Sequence, residues 1–172
     1  KVPVGFSPDL IWMKTRNDAK HNNLWDSVRG LQANKYLITN GTWKEGGTDG
    51  QNVGHPELDP DDDKAFLAKE GTSSGVWTTN SGIDYVAWTW KAGGAIEGEN
   101  NVMIDGVGST LEDSGLDTGD IPPTAMSVNT KAGFSIIKWV GNGENGATVP
   151  HGLNQAPEFF MTKLLDNGTF TY

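Results

Sequence analysis

Ile83-Asp84-Tyr85-Val86-Ala87-Trp88-Thr89-Trp90-Lys91 is the stretch on which the reading of the fold turns. β-Branched and aromatic residues fill it, and nothing in it resembles a helical period. Side chains alternate along a strand, so Val86, Trp88 and Trp90 share one face while Tyr85, Ala87 and Thr89 share the other. Ala92-Gly93-Gly94 ends the run. Other short apolar runs lie on both sides. Asp9 to Lys14 reads as a strand with Pro8 at its start, where proline is tolerated. Leu24-Trp25-Asp26-Ser27-Val28-Arg29-Gly30, Tyr36-Leu37-Ile38-Thr39, Val102 to Ile104, Gly133 to Gly141 and Glu158 to Leu165 read as further strands. Twenty-three glycines and eight prolines interrupt the chain too often for long helices. One helix is expected, over Asp59 to Gly71. Asp59 suits the N-cap, Pro60 the first helical position, Asp61 and Asp62 the positive end of the dipole, and Gly71 the stop.

The chain has 172 residues, 35% of them hydrophobic, so it can bury a core. No stretch is long and apolar enough to cross a bilayer as a helix. The formal net charge is −9, and the 13 lysines and arginines are scattered singly. Nucleic-acid binding needs a basic footprint, which argues against it and against an anionic membrane surface. The absence of cysteine excludes disulfides, thiolate metal sites and cysteine nucleophiles. The first residue is Lys1 rather than Met, and together with the repeat below this favours a segment of a longer chain.

Val2-Pro3-Val4-Gly5-Phe6 matches Val149-Pro150-His151-Gly152-Leu153, 147 residues further on. Pro8-Asp9-Leu10-Ile11-Trp12-Met13-Lys14 matches Pro157-Glu158-Phe159-Phe160-Met161-Thr162-Lys163 at an offset of 149. Two blocks in order at nearly one offset point to a recurring whole domain, because solenoid repeats are far shorter. The expected division is a main module over residues 1–94, a connector over 95–132 and the start of a second copy over 133–172. In the second copy a strand from Phe134 precedes the Val-Pro block. Its counterpart in the first copy would precede Lys1, leaving a sheet edge open. Upstream sequence, a neighbouring subunit or residues 133–140 could fill that edge.

The segments Phe6 to Lys14, Leu24 to Gly30, Asp84 to Gly94 and Ser127 to Ile136 resemble repeated domains in virion and tail-fibre-associated proteins of marine tailed bacteriophages. The resemblance covers most of the chain, and its motifs are strand and turn residues rather than chemical groups. It implies an all-β, two-sheet antiparallel β-sandwich of jelly-roll, lectin-like type with at most one short helix, followed by the start of a second β domain. It also implies a non-enzymatic structural or adhesion protein at the surface of an extracellular particle. Partners would be other copies of itself (by analogy with fibres, a homo-oligomer such as a trimer), other virion proteins and a host-surface glycan. There are two departures. Thr89 stands where the relatives usually carry cysteine, and the stretch around Asp61 to Glu70 reads as helix where strand would be expected.

Candidate chemistry is sparse. Gly141-x-Gly143-x-x-Gly146 spells a dinucleotide fingerprint, but Val149-Pro150 follows where the motif needs a helix, so a turn is expected and no cofactor. Glu57-x-Asp59-x-Asp61 is similar to the carboxylates of laminarinase-type glycosidases, yet Pro60 interrupts the strand that would aim them at one sugar. Asp59, Asp61, Asp62 and Asp63 could offer oxygen to calcium, but the helix start accounts for most of them. His21, His55 and His151 have no metal spacing. Trp12, Trp25, Trp88, Trp90 and Trp139 are expected to pack in the core or between sheets. Trp43 and Trp77, set among Gly, Thr and Ser, are the better exposed candidates for stacking on a sugar ring, although packing under a loop is the first expectation for both. The expectation is assembly without catalysis, with a glycan-binding lectin domain as the alternative and glycoside hydrolysis disfavoured.

Overall fold

A computed structural model describes residues 1–47, 54–71, 79–166 and 170–171. The chain is all-β and divides into two compact units. One comprises Lys1–Trp90 with Phe159–Tyr172, the other Lys91–Glu158.

In the first unit, β1 (Val2–Pro3), β2 (Leu10–Thr15), β3 (Asn23–Asp26), β4 (Leu37–Ile38), β5 (His55–Leu58), β6 (Ala65–Lys69) and β7 (Tyr85–Trp90) make two antiparallel sheets. One has the order β4-β3-β2-β7, the other β1-β6-β5. The inner faces meet in a cluster of Ile11, Met13, Trp25, Tyr36, Ile38 and Phe66, with Tyr85 and Ala87 packed against it. β2 is central. Leu10, Ile11, Trp12 and Met13 pair with Asp26 to Asn23 on one side, and Leu10 to Thr15 pair with Trp90 to Tyr85 on the other. Tyr85, Ala87 and Thr89 therefore share the inner face with Ile11 and Met13.

This corrects the expected role of the tryptophans. Trp25 fills the core and is fully buried, but Trp88 is 45%, Trp90 37% and Trp139 37% exposed. The expected helix over Asp59 to Gly71 is also overturned. Leu58 pairs with Phe66 in a β5–β6 hairpin. Asp59 Oδ1 accepts from the Asp61 amide and Asp62 Oδ1 from the Lys64 amide, while the Asp62 and Ala65 amides donate to the carbonyls three residues back. Side-chain-to-backbone bonds of this kind serve a turn as well as an N-cap. Phe66 and Ala65 are then drawn into the core, where β1 and β5 supply their backbone partners.

The second unit holds β8 (Val102–Ile104), β9 (Val107–Ser109), α1 (Leu111–Ser114), β10 (Ala125–Asn129) and β11 (Phe134–Lys138). Its sheet runs β11-β10-β8-β9, with β8 and β10 parallel and the other pairs antiparallel. Val102, Met126 and Val128 are fully buried at its centre. Residues 95–132, expected as a connector, thus carry three strands and a helical turn, and the Phe134 strand completes this sheet. Asp105-Gly106 turns the β8–β9 hairpin, both with positive φ (52° and 89°), as a two-residue primed turn requires. The Asp105 carboxylate then accepts from the Thr130 amide at 2.8 Å and its hydroxyl at 2.5 Å, tying this hairpin to the β10–β11 turn. Thr110 caps α1 by accepting from the Asp113 amide.

Ala92-Gly93-Gly94 does more than end a strand. A Cβ on Gly93 would collide with the Met103 carbonyl and lie 2.6 Å from that of Val128. Both are backbone atoms that cannot swing aside. Gly93→Ala is expected to cost about 2–3 kcal/mol through forced backbone shifts. Urea unfolding checks this, and an unchanged midpoint would mean that the chain here does not lie against β8 and β10.

After residue 158 the chain returns to the first unit, where β12 (Thr162–Lys163) pairs with β13 (Phe170–Thr171). Lys163 Nζ donates to the Gly41 carbonyl, and the Glu45 amide to that of Leu165.

Candidate functional site

The face of the four-stranded sheet turned away from the core carries the aromatic side chains. Across β2 and β7, Leu10 sits opposite Trp90, Trp12 opposite Trp88 and Lys14 opposite Val86. The Trp12 and Trp88 rings lie 5.4 Å apart at 46°, a tilted pair within favourable aromatic distance. Trp12 Nε1 donates to Thr39 Oγ1 at 3.1 Å, fixing that ring, and Lys14 Nζ donates to the Lys20 carbonyl at 2.8 Å. The result is a ladder of tryptophans, buried on one side by each other and open on the other. β7 stands at the end of its sheet among the described strands. An exposed aromatic strip beside a sheet border can do two things. It can pack against another protein surface, or it can stack on a planar ligand such as a sugar ring.

Trp43, one of the two residues expected to bind a ligand, is 41% exposed. Its ring and that of His21 lie 4.6 Å apart, centre to centre, at 67°. Trp77 lies outside the described residues. A small crevice that His21 lines together with residues such as Met13, Lys14, Asn23, Trp25 and Tyr85 does not include Trp43. Buried polar atoms without a protein partner there are His21 Nδ1, Asn23 Oδ1 and Trp25 Nε1. That set suits a single water rather than a sugar.

The acids named as cation candidates are occupied by the chain itself. Lys1 Nζ lies 3.0 Å from Asp59 and 2.8 Å from Asp62. The Asp61 amide, followed by Lys1, holds the Asp59 carboxyl below its ordinary 3.8. Lys1, followed by the Lys64 amide, does the same for Asp62. Asp61 and Asp63 lie in the same exposed hairpin loop, and no group of three metal-capable side chains occurs among the described residues. Both carboxyls have folded pKa values below their unfolded ones. Their contribution is therefore present above the unfolded value and is lost as pH falls through the folded one. The Thr130 and Thr148 contacts lower Asp105 and Asp120 in the same direction. Thermal stability is expected to fall on acidification below about pH 4, with Asp62→Asn flattening part of that limb. Melting scans from neutral to acid pH check this, and identical limbs in the two proteins would contradict it.

The histidines are dispersed. His151 Nδ1 accepts from the Leu153 amide at 3.0 Å, a structural use, and His55 lies in β5 opposite Lys69. The Gly141 to Gly146 segment is exposed and irregular, and no helix follows it among the described residues. These arrangements offer packing and stacking surfaces. The tryptophan ladder was missed because the hydrophobicity of Val86, Trp88 and Trp90 pointed inward. The signal that could have found it is the pairing partner, since the face of β7 follows from that of β2.

A profile described as a domain of unknown function (DUF7483) matches residues 1–171. Comparison with curated proteins returns no match, and neither does comparison with solved structures.

Proposed function

The chain belongs to the DUF7483 domain family, and we propose that it is a non-enzymatic assembly and adhesion module on the surface of a phage particle, as in a fibre, appendage or capsid-surface protein. The observation that carries the assembly part is the tryptophan ladder: Trp88 and Trp90 stay 45% and 37% exposed on a border strand. Large aromatic side chains grouped at a sheet border are costly in water and are enriched at protein interfaces. The sequence resemblance described above supports the particle setting. The acidic surface, at net charge −9, keeps a densely packed assembly soluble and discourages contact with nucleic acid.

Glycan binding is the second reading. It is favoured by Trp43, exposed at 41% in a loop, and by the exposed rings of Trp88 and Trp90. One pair of measurements separates the two. Sedimentation velocity over a dilution series is expected to show concentration-dependent self-association, reduced in Trp88→Ala/Trp90→Ala. Glycan-array binding with a monomeric chain would overturn the assembly reading and favour the lectin one.

A further inference from the structure

One end of the inner face of the four-stranded sheet is polar. Asn23 lies opposite Met13 across β2 and β3, and Thr15 lies opposite Tyr85 across β2 and β7. Asn23 and Trp25, two residues apart on one strand, share that face and are 6% and 0% exposed. A buried amide or indole N–H is costly unless its polar atoms find partners. Asn23 Nδ2 reaches the His21 carbonyl at 3.4 Å, but Oδ1 has no partner among the described residues. The same holds for Trp25 Nε1, which can only donate, and for His21 Nδ1. Other polar groups of this crevice are engaged. Thr15 Oγ1 donates to the Asp18 carbonyl and Lys14 Nζ to that of Lys20, while the Tyr85 hydroxyl accepts from the Asn80 amide.

His21, Asn23 and Trp25 line one crevice whose free volume, about 10 Å³, is room for a single water. The lining disfavours other occupants of that size. A cation would meet the Trp25 N–H and the ammonium groups of Lys14 and Lys20, with no carboxylate among the described residues that line the space. An anion would meet the lone pairs of Asn23 Oδ1. A neutral molecule that both donates and accepts fits. Water accepts from Trp25 Nε1 and donates to Asn23 Oδ1. It keeps one hydrogen and one lone pair, so it can serve His21 Nδ1 in either imidazole tautomer.

We infer that one internal water bridges Trp25 Nε1, Asn23 Oδ1 and His21 Nδ1, and that it positions the His21 ring. The consequence reaches the surface. The His21 ring stands 4.6 Å from that of Trp43, centre to centre, so the imidazole held by the water is the one beside the exposed loop tryptophan. A buried polar bridge thereby sets the place of Trp43 through His21, whichever of the two proposed functions the chain performs.

The test uses the intact chain labelled with nitrogen-15. Magnetisation transfer from water to the Trp25 indole N–H and to the His21 ring protons is measured in the laboratory frame and in the rotating frame. Cross-peaks of opposite sign in the two experiments are expected, the mark of contact with a long-resident water. Absent cross-peaks, or cross-peaks of equal sign, which report hydrogen exchange, would overturn the bridge, and this result needs no variant. Asn23→Leu then replaces the amide by an apolar group of similar size. The opposite-sign cross-peak at Trp25 should vanish and the His21 and Trp43 ring signals should move, while those of Phe66 and Trp88 stay and show the fold intact. A cross-peak that persists at full strength would place the water elsewhere and overturn the bridge. Its loss with His21 and Trp43 unmoved would overturn the positioning of Trp43. Should Asn23→Leu not fold, a wild-type water contact at Trp25 but none at His21 would overturn that positioning equally.

Discussion

Phe66→Ala is expected to destabilise the first unit by about 3–5 kcal/mol, the range for deleting a large aromatic side chain from a packed core. Phe66 is completely buried and joins Ile11, Met13, Trp25, Tyr36 and Ile38 in one cluster, so it is the main contact of the β1-β6-β5 sheet with the β4-β3-β2-β7 sheet. Its removal leaves a cavity between sheets whose backbones are fixed by their ladders and cannot close over it. The contrast with Trp88→Ala makes the result specific. That larger side chain is 45% exposed and pairs with the Trp12 ring, and its loss is expected to cost only about 1 kcal/mol in the monomer. Urea denaturation of the two variants checks the ranking. A Trp88 variant less stable than the Phe66 variant would mean that the sheet is turned the other way, with the ladder inside.

The second large effect concerns a charge cluster at the end of β3. Asp26 and Arg29 side chains are each only 5% exposed, with Arg29 Nη2 2.6 Å from Asp26 Oδ2 and Nε bonded to the same oxygen. Asp26 Oδ1 accepts from the Val28 and Arg29 amides. Arg29 Nη1 reaches the Lys35 carbonyl at 2.7 Å and Glu45 at 3.0 Å, and Lys35 contacts the same Glu45. The guanidinium thus joins the β3 turn, the segment before β4 and the loop after it. Arg29→Ala leaves the Asp26 charge buried without its counter-ion, which typically costs about 3 kcal/mol or more. For a chain of this size that is a fall of roughly 6–12 °C in melting temperature. Arg29→Lys should recover only part of it, because an ammonium cannot serve carboxylate and carbonyl in the planar fork. A melting temperature within about 1 °C of the wild type in Arg29→Ala would show the cluster to be a solvated surface pair instead.

Strands were legible wherever aromatic and β-branched residues alternated, as in Tyr85–Trp90, Leu10–Thr15 and Phe134–Lys138. Which face of a strand is buried was not legible from the strand alone. Val86, Trp88 and Trp90 outweigh Tyr85, Ala87 and Thr89 in apolar surface, and only the pairing with β2, some seventy residues earlier, turns the smaller set inward. The Asp59–Lys64 hairpin was misread for a local reason. Aspartates that accept backbone amides two residues on look the same at a helix start and in a turn, and the deciding factor is the distant core that claims Phe66. Asp105-Gly106, by contrast, is a local hairpin signal between apolar residues, and its turn needs no distant partner to be read. The site followed the same pattern. The polar surroundings of Trp43 mark it as a better exposed candidate yet leave packing under a loop the first expectation, whereas the ladder depends on long-range register. The Arg29 cluster is equally non-local, since nothing at Arg29 names Glu45.

Amide hydrogen exchange along Tyr85–Trp90, measured in dilute and concentrated solution, tests the assembly account most directly. Assembly through the outer face of β7 predicts that exchange along this strand slows as concentration rises. Exchange along β7 that is the same at every concentration would contradict it.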